Sequence, residues 1–253
     1  MGVRAGVAGL VDKGVCNKKN DDRLMIGNRI ISSGIYSEEL SAPFHCIVCD
    51  GVGGETGGAR AAEYVLNQLA GEPLSDVAGS DEMSDILSRV NNRLFMYQEQ
   101  EQIVNGMKTT IVGIGFYEDK VICYNSGDSR LYRLRNGILF QLSEDHSVAQ
   151  EMVLGGVITE NIEEELMKCS RITRCLGAHN VLPPYVKQIN VGALKNDIYL
   201  LCSDGLWGVV PNEVLEDILK SDKTLEEKAK KLFELAEENG SKDNVSIAII
   251  NIR

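Results

Sequence analysis

The sequence contains little of what several common kinds of functional site require. Only three of its 253 residues are His, and none has a partner at the spacing of a zinc site. Basic residues are also scarce, with 26 Lys and Arg against 37 Asp and Glu, which gives a formal charge of −11. Because binding to nucleic-acid phosphates needs clustered basic side chains, we expect no nucleic-acid partner. The acidic surface is more compatible with a protein that gathers cations.

Long apolar runs are absent from the sequence too. None approaches the ~20 residues that a membrane-spanning helix needs, and residues 1–10 lack the basic start and apolar stretch of a signal peptide. The seven Cys are odd in number and lie mostly in apolar runs, which is typical of reduced thiols in a core. We therefore expect a soluble cytoplasmic protein with no membrane partner.

One Cys pair, Cys46 and Cys49, has the CxxC spacing of metal and redox sites. In a strand, however, residues three apart point to opposite faces and cannot share an ion. The pattern therefore favours two core cysteines.

Short β-rich runs bounded by turn residues dominate the chain. They predict strands over residues 23–31, 45–49, 109–117, 120–125, 130–134, 138–142, 185–191, 197–202 and 245–252. Helical periodicity predicts helices over residues 58–69, 81–100, 211–219 and 224–238. Two tight connections, Glu118-Asp119 and Asn136-Gly137, indicate antiparallel hairpins.

This order of elements favours an α+β fold over a doubly wound parallel sheet, because the helices come in blocks between antiparallel strands. A single domain over residues 1–253 is the simplest organisation. Residues 147–170 lack a clear period and contain a Gly-Gly pair, so we predict an inserted flap there.

Acidic residues recur where predicted strands end or begin. Three apolar runs lead into an Asp beside a Gly, and further acids stand before two other strands: Asp50, Asp128, Asp204, Asp243 and the pair Asp21-Asp22. A single Asp-Gly is more often a turn than a ligand. Repetition favours carboxylates that converge on hard divalent cations, because gathered carboxylates otherwise repel each other. Mg²⁺ or Mn²⁺ fits such oxygen ligands.

The stretch Gly51-Val52-Gly53-Gly54 before a helix could instead cradle a phosphate. Thr56 occupies the place of the third glycine in the dinucleotide fingerprint, and no Gly-Lys-Ser/Thr follows as in a P-loop. As a nucleotide motif this stretch is weak.

Taken in order, eight short motifs resemble those of the metal-dependent protein phosphatases of type 2C, the PPM group. The resemblance runs from about Leu10 to Ile252. It rests on Asp12-Lys13-Gly14 with Asn20-Asp21-Asp22, Asp50-Gly51-Val52-Gly53-Gly54, Lys108-Thr109-Thr110, Gly127-Asp128-Ser129-Arg130, Glu144-Asp145-His146-Ser147 with Gly156-Val157-Ile158-Thr159, Ile172-Thr173-Arg174-Cys175-Leu176-Gly177, Ser203-Asp204-Gly205-Leu206-Trp207 and Lys242-Asp243-Asn244-Val245-Ser246. Each motif is modest alone, but the ordered set is specific.

The resemblance implies a fold and an activity. The fold would be a four-layer α-β-β-α sandwich with two antiparallel sheets packed face to face and helices outside. The activity would be that of a bacterial-type serine/threonine phosphatase that acts in signalling. Its substrates would be proteins phosphorylated by a serine/threonine kinase, and it would act as a monomer.

The same resemblance implies a metal set of two Mn²⁺ or Mg²⁺ ions, with a third, weaker ion if one binds. The implied ligands are Asp22, Asp50, the Gly51 carbonyl, Asp128, Asp204 and Asp243. Asp50 would bridge the two ions, and with Asp204 and Asp243 it would form the catalytic group that activates water.

Two positions depart from the family pattern. Asn17 stands where the family has a phosphate-gripping Arg, and an Asn offers neither charge nor a bidentate fork. Lys13, Lys18 or Lys19 could substitute for it. Glu55 stands where many relatives carry a proposed proton-donating His.

Candidate substrate contacts are Asn17, Lys18 and His146. Two alternatives remain open because of the departures at Asn17 and Glu55. One is a catalytically weak or inactive phosphatase-like module that binds a phosphoprotein partner. The other is a hydrolase of small phosphates or nucleotides.

Overall fold

The computed structural model describes residues 2–52, 57–103, 106–157, 171–178 and 184–253. Its strands are β1 Arg4–Asp12, β2 Arg23–Ile26, β3 Arg29–Ile31, β4 Gly34–Ser41, β5 Phe44–Cys49, β6 Gly51–Val52, β7 Lys108–Thr109, β8 Ile111–Phe116, β9 Val121–Ser126, β10 Arg130–Arg135, β11 Ile138–Gln141, β12 Tyr185–Ile189, β13 Ile198–Cys202 and β14 Val245–Ile252. Its helices are α1 Gly58–Ala70, α2 Ser80–Gln100, α3 Val148–Leu154, α4 Asp204–Trp207, α5 Asn212–Lys220 and α6 Leu225–Glu238, with a short 3-10 helix at Leu74–Asp76.

The strands form two six-stranded sheets and one small ribbon. The first sheet has the order β11-β10-β13-β14-β1-β4, and the second has the order β12-β9-β8-β5-β2-β3. Strand β6 pairs with β7. Every pairing within the two large sheets is antiparallel.

The two large sheets pack face to face around a shared apolar core. On β14, Ala248 and Ile250 join the core between the sheets, whereas Ile247 and Ile249 join the cluster that includes helix α6. This alternation follows from the period of two in a strand, and it explains why the central strands are apolar on both faces.

Helices cover the outer face of each sheet. The second sheet packs against α1 and α2 through one apolar cluster, and the first packs against α4, α5 and α6 through another. The result is the four-layer α-β-β-α sandwich that the sequence resemblance implied.

Several local predictions are confirmed. The four predicted helices correspond to α1, α2, α5 and α6 with ends that differ by at most one residue. Both predicted hairpins form, joining β8 to β9 and β10 to β11. Cys46 and Cys49 lie on opposite faces of β5, in different apolar clusters, as expected for core cysteines.

Other local predictions were wrong. Residues 23–31 form a hairpin, β2 and β3, because the chain reverses at Gly27, whose φ of 55° suits glycine. Strands β1 and β4 were not predicted. β1 is rich in Gly and Ala, which have low strand propensity, and its pairing with both β14 and β4 stabilises it instead.

Of the predicted flap over residues 147–170, the structure describes residues 147–157, which contain the short helix α3. In the part of the chain that the structure covers, no helix is both long and apolar enough to traverse a bilayer.

Candidate metal centre

An open cleft of about 660 Å³ lies where strand ends from both sheets meet. Its lining comes from segments far apart in the chain: Asn17, Lys18, Lys19, Asp21, Asp50, Gly51, Val52, Thr110, Asp128, Ile172, Asp204, Asp243 and Asn244. Four of the predicted metal-ligand carboxylates, at positions 50, 128, 204 and 243, therefore share one cleft, together with the predicted Gly51.

Asp50 follows β5 and is held through its backbone by the start of β8. Its N–H donates to Thr110 Oγ1 at 3.1 Å. Its carbonyl accepts from the Thr110 N–H at 2.8 Å and from Thr109 Oγ1 at 2.9 Å. The Lys108-Thr109-Thr110 motif thus has a clear structural role, which is to fix the backbone of Asp50.

Gly51 must be a glycine because two other backbone segments approach it. A Cβ at this position would lie 2.3 Å from the Gly58 carbonyl carbon and 2.6 Å from the Asp21 carbonyl oxygen. No side chain fits at these distances. This close packing brings the first turn of α1 and the segment before β2 to the edge of the cleft.

Asp204 and Asp243 reach the cleft from the adjacent strands β13 and β14. Asp204 begins α4, directly after Ser203, and its Oδ1 atom is buried with no hydrogen-bond partner among the described residues. Asp243 is more exposed and accepts from the N–H of Asn244 at 2.7 Å. Gly205 allows the two segments to touch, since a Cβ there would lie 2.0 Å from the Asn244 carbonyl oxygen.

The adjacent acids Asp21 and Asp22 occupy different places. Asp21 lines the cleft, whereas Asp22 is 1% exposed and lies beneath it. Ser203 Oγ donates to Asp22 Oδ2 at 2.8 Å and accepts from the Ser246 N–H at 2.9 Å. The sequence singled out the pair but assigned only Asp22 as a ligand. Alternation along an extended segment predicts that the two side chains point to opposite sides, but it does not tell which one lines the cleft.

Asp128 is supported by a neighbouring arginine. Arg130 makes a forked ion pair with Asp145, with Nη2 to Oδ2 at 2.7 Å and Nε to Oδ1 at 3.1 Å. Its guanidinium also lies 3.6 Å from the centre of the Trp207 ring. Arg130 therefore ties the Asp128 turn to α4, which carries Asp204.

The electrostatics of these acids favour a bound cation. Removal from water raises the pKa of Asp22 and Asp128 to about 7 and that of Asp204 to about 6. Burial and the neighbouring carboxylates raise the pKa of Asp50 well above its usual range. Like charges held apart from water are unfavourable unless a positive charge lies among them.

The residues present fit hard divalent cations by their oxygen donors and by the unpaired Oδ1 of Asp204. Within the described part of the chain, no three Asp, Glu, His or Cys side chains form a ready ligand group.

The predicted substrate contacts lie in different surroundings. Asn17 and Lys18 line the cleft, and Asn17 Nδ2 donates to the Lys242 carbonyl at 3.0 Å. His146 is buried beside the Asp128 turn, where its Nδ1 accepts from the Gly127 N–H at 3.2 Å. Burial and nearby Arg174 lower the pKa of His146 to about 4. Glu55, with Gly53 and Gly54, lies outside the described residues.

Known proteins are similar to this chain in both sequence and fold. The family description "Protein phosphatase 2C" matches residues 14–245. The chain is 32% identical over 245 residues to the serine/threonine phosphatase stp of Listeria monocytogenes serotype 4b, covering 94% of this chain and 92% of that protein.

Two solved structures are similar over nearly the whole chain. The serine/threonine phosphatase PstP/Ppp of Mycobacterium tuberculosis has a TM-score of 0.83 at 29% identity and 98% coverage of both chains. The catalytic domain of PstP in complex with two manganese ions has a TM-score of 0.79 at 28% identity and 99% coverage of both chains. Together with the cleft of converging carboxylates, these matches mean that the chain belongs to the protein phosphatase 2C family, the metal-dependent serine/threonine phosphatases that hydrolyse phosphoproteins.

Proposed function

We propose that this protein removes phosphate from phosphoserine and phosphothreonine in proteins, using a water activated by two divalent cations. The observation that carries the proposal is the meeting of acids from distant segments in one cleft: Asp21, Asp50, Asp128, Asp204 and Asp243. No folding role requires these acids to be together, since their mutual repulsion and partial burial oppose it.

Each acid has a role in the proposal. Asp50, the Gly51 carbonyl, the acids before β2, Asp204 and Asp243 would hold the two cations, and most of these groups line the cleft. Asp128 would help to hold a third, weaker ion. When bound, Mn²⁺ or Mg²⁺ lowers the pKa of water and neutralises charge on the phosphoryl oxygens.

Asp21 and Asp22, the acids before β2, have different roles toward the cation in this proposal. Asp21 lines the cleft and would contact a cation there directly. Asp22 accepts from Ser203 Oγ beneath the cleft and would contribute through water. This assignment gives each member of the pair a contribution that matches its exposure.

The substrate phosphate is bound from the loop that carries Lys18 and Lys19, both of which line the cleft. An ammonium group attracts a phosphate dianion as a point charge, without the forked geometry of an Arg. This supports turnover despite Asn17 in place of the family's Arg, and it argues against the inactive module.

The proposal also concerns the cellular compartment, the domain organisation and the oligomeric state. The six described cysteines are free, which supports a reducing compartment such as the cytoplasm. We also propose that the chain is one domain, acts as a monomer on targets of a serine/threonine kinase, and uses residues 147–170 as a flap beside the cleft.

The test is phosphate release from a phosphothreonine peptide by the purified protein with Mn²⁺. We expect activity that EDTA abolishes and that Asp50→Asn lowers by at least about 100-fold. Asp119→Asn is the matched control, because Asp119 is 81% exposed in a hairpin turn. Activity that survives EDTA would contradict the metal mechanism, and faster turnover of nucleotides than of phosphopeptides would favour the small-phosphate alternative.

A further inference from the structure

We propose that Asn244 is a positioning residue that sets the place of the substrate-binding loop, residues 13–21, relative to the metal-binding acids. The inference rests on the proposed function, because it concerns how that same cleft binds the substrate phosphate. It assigns Asn244 to substrate affinity and not to the chemical step.

The Asn244 side chain uses its oxygen and both of its N–H donors to bond to the loop. Its Oδ1 accepts from the Asp21 N–H at 2.8 Å. Its Nδ2 donates to the Lys13 carbonyl at 2.9 Å and to the Lys19 carbonyl at 3.1 Å. An amide has one acceptor oxygen and two N–H donors, so one side chain closes both ends of the loop.

Asn244 is also buried and anchored. It is 5% exposed, it immediately follows Asp243, and its own N–H donates to Asp243 Oδ1 at 2.7 Å. The loop is therefore tied to the same two residues that present a metal-binding acid at the start of β14. Little freedom remains for the loop to shift relative to that acid.

Two further contacts hold the loop from the same side. Asn17 Nδ2 donates to the Lys242 carbonyl at 3.0 Å. Gly14, with a φ of 67°, approaches so closely that a Cβ would lie 2.5 Å from the Asp243 carbonyl oxygen. Asn17 thus uses an N–H donor to hold the loop in place. We therefore assign phosphate binding to Lys18 and its neighbours and not to Asn17.

Asn244 and Lys18 therefore have different roles in substrate binding. A Lys side chain is long and flexible, so it binds well only if its backbone is held in place. Asn244 supplies that restraint for Lys18. Without it, the loop samples other positions, and binding energy is lost before the chemical step begins.

The first measurement uses the unaltered protein. The Asp21 amide should exchange with deuterium much more slowly than an exposed loop amide, because its N–H is donated to a buried side chain. Exchange at the rate of an unprotected amide overturns the inference, and it does so without depending on the folding of any variant.

The second measurement is the kinetics of Asn244→Ala with a phosphothreonine peptide. We expect KM to rise roughly tenfold and the inhibition constant of inorganic phosphate to rise with it. We expect kcat at saturating Mn²⁺ to change less than about twofold and residues 13–21 to exchange faster. The Mn²⁺ concentration for half-maximal activation should rise by a smaller factor than KM, since Asp21 at the end of the loop is only one of several metal-binding acids.

Asn239→Ala is the matched control. Asn239 also donates through Nδ2 to a distant backbone carbonyl, that of Val209 at 2.8 Å, but it does not line the cleft. We expect its KM to equal that of the unaltered protein. A rise in KM equal to that of Asn244→Ala would reduce Asn244 to a general stabilising role and overturn the inference.

The two proposals fail in different ways. If the unaltered protein shows no Mn²⁺-dependent phosphatase activity, the proposed function is wrong whatever the exchange data show. If it is active but Asn244→Ala lowers kcat and Mn²⁺ affinity with KM unchanged, the function stands and the positioning role of Asn244 is wrong.

Discussion

Asp50 lies where folding and catalysis make opposite demands on one side chain. Its carboxylate is partly buried in the wall of the cleft and faces Asp22, Asp128, Asp204 and Asp243, so its pKa rises well above the usual range. In the metal-free protein, a neutral side chain of the same shape would be more favourable at this position.

We therefore expect Asp50→Asn to stabilise the metal-free protein while it abolishes activity. The gain in free energy of unfolding should be about 1–3 kcal/mol, the usual cost of a poorly compensated charge. Thermal unfolding in EDTA measures it, with Asp119→Asn as the control for a lost exposed charge. A lower Tm for Asp50→Asn in EDTA would contradict this account.

A second residue, His45, makes stability depend on pH. It is 3% exposed and lies between the hydroxyls of Tyr117 and Tyr124, at 2.9 and 3.1 Å. Burial lowers its pKa to about 4. Between about pH 6.5 and 4 the unfolded chain binds a proton that the native His45 does not, so this stabilisation is present above pH 6.5 and is lost as the pH falls.

We expect the stability advantage of the unaltered protein over His45→Gln to become smaller as the pH falls. The difference in their free energies of unfolding should shrink by about 2 kcal/mol between pH 7 and pH 5. Urea unfolding of both proteins across that range measures it, and taking the difference cancels the opposite trend of the cleft carboxylates. Parallel pH profiles would show that the burial of His45 carries no such linkage.

At the scale of elements, the small β6-β7 ribbon connects the acid at the end of β5 to the rest of the cleft. Thr110, just after β7, accepts from the Asp50 N–H and shares a hydrogen bond of 2.8 Å with Ser129 Oγ. This hydroxyl therefore couples the positions of Asp50, which follows β5, and Asp128, which lies between β9 and β10.

We expect Thr110→Val to weaken Mn²⁺ binding as well as the fold. The change keeps the side-chain shape but leaves two buried polar groups unpaired, which costs about 1–3 kcal/mol. The readout is the Mn²⁺-induced rise in Tm, which should become smaller. Thr224→Val is the control: it removes the N-cap of α6, at a cost of about 1 kcal/mol, and should leave the Mn²⁺ effect unchanged.

At the scale of the whole molecule, the excess of 11 negative charges makes the protein attractive to cations and sensitive to salt. Cations that bind only the folded state stabilise it by mass action, by about 2.7 kcal/mol at a concentration 100 times the Kd. Relief of repulsion in the cleft adds to this effect.

We therefore expect Mn²⁺ to raise Tm by several degrees above its value in EDTA, and the apparent Mn²⁺ affinity to fall as NaCl rises from about 0.01 to 0.5 M. Titration calorimetry and thermal unfolding measure the two effects. Asp50→Asn should lose most of the rise. An unchanged Tm across EDTA and Mn²⁺ would mean that the cleft binds no cation in solution.

The sequence by itself determined four of the six described α-helices, most strands and the position of acids at strand ends, because periodicity and turn residues are local properties. The capping box at Thr224, for example, is a Thr-x-x-Glu pattern within four neighbouring residues. The ordered motifs, from Asp50-Gly51 to Asp243-Asn244, also indicated the family.

Only the tertiary structure decided which of Asp21 and Asp22 lines the cleft, and that Asn17 and Asn244 tie down one loop. The partners in these tethers are 225 and 223 residues apart, so no local pattern records them. The glycine-rich β1 likewise forms because β4 and β14 pair with it on both sides. Contacts of this kind depend on how the sheets bring remote segments together, which is a property of packing and not of any short stretch of sequence.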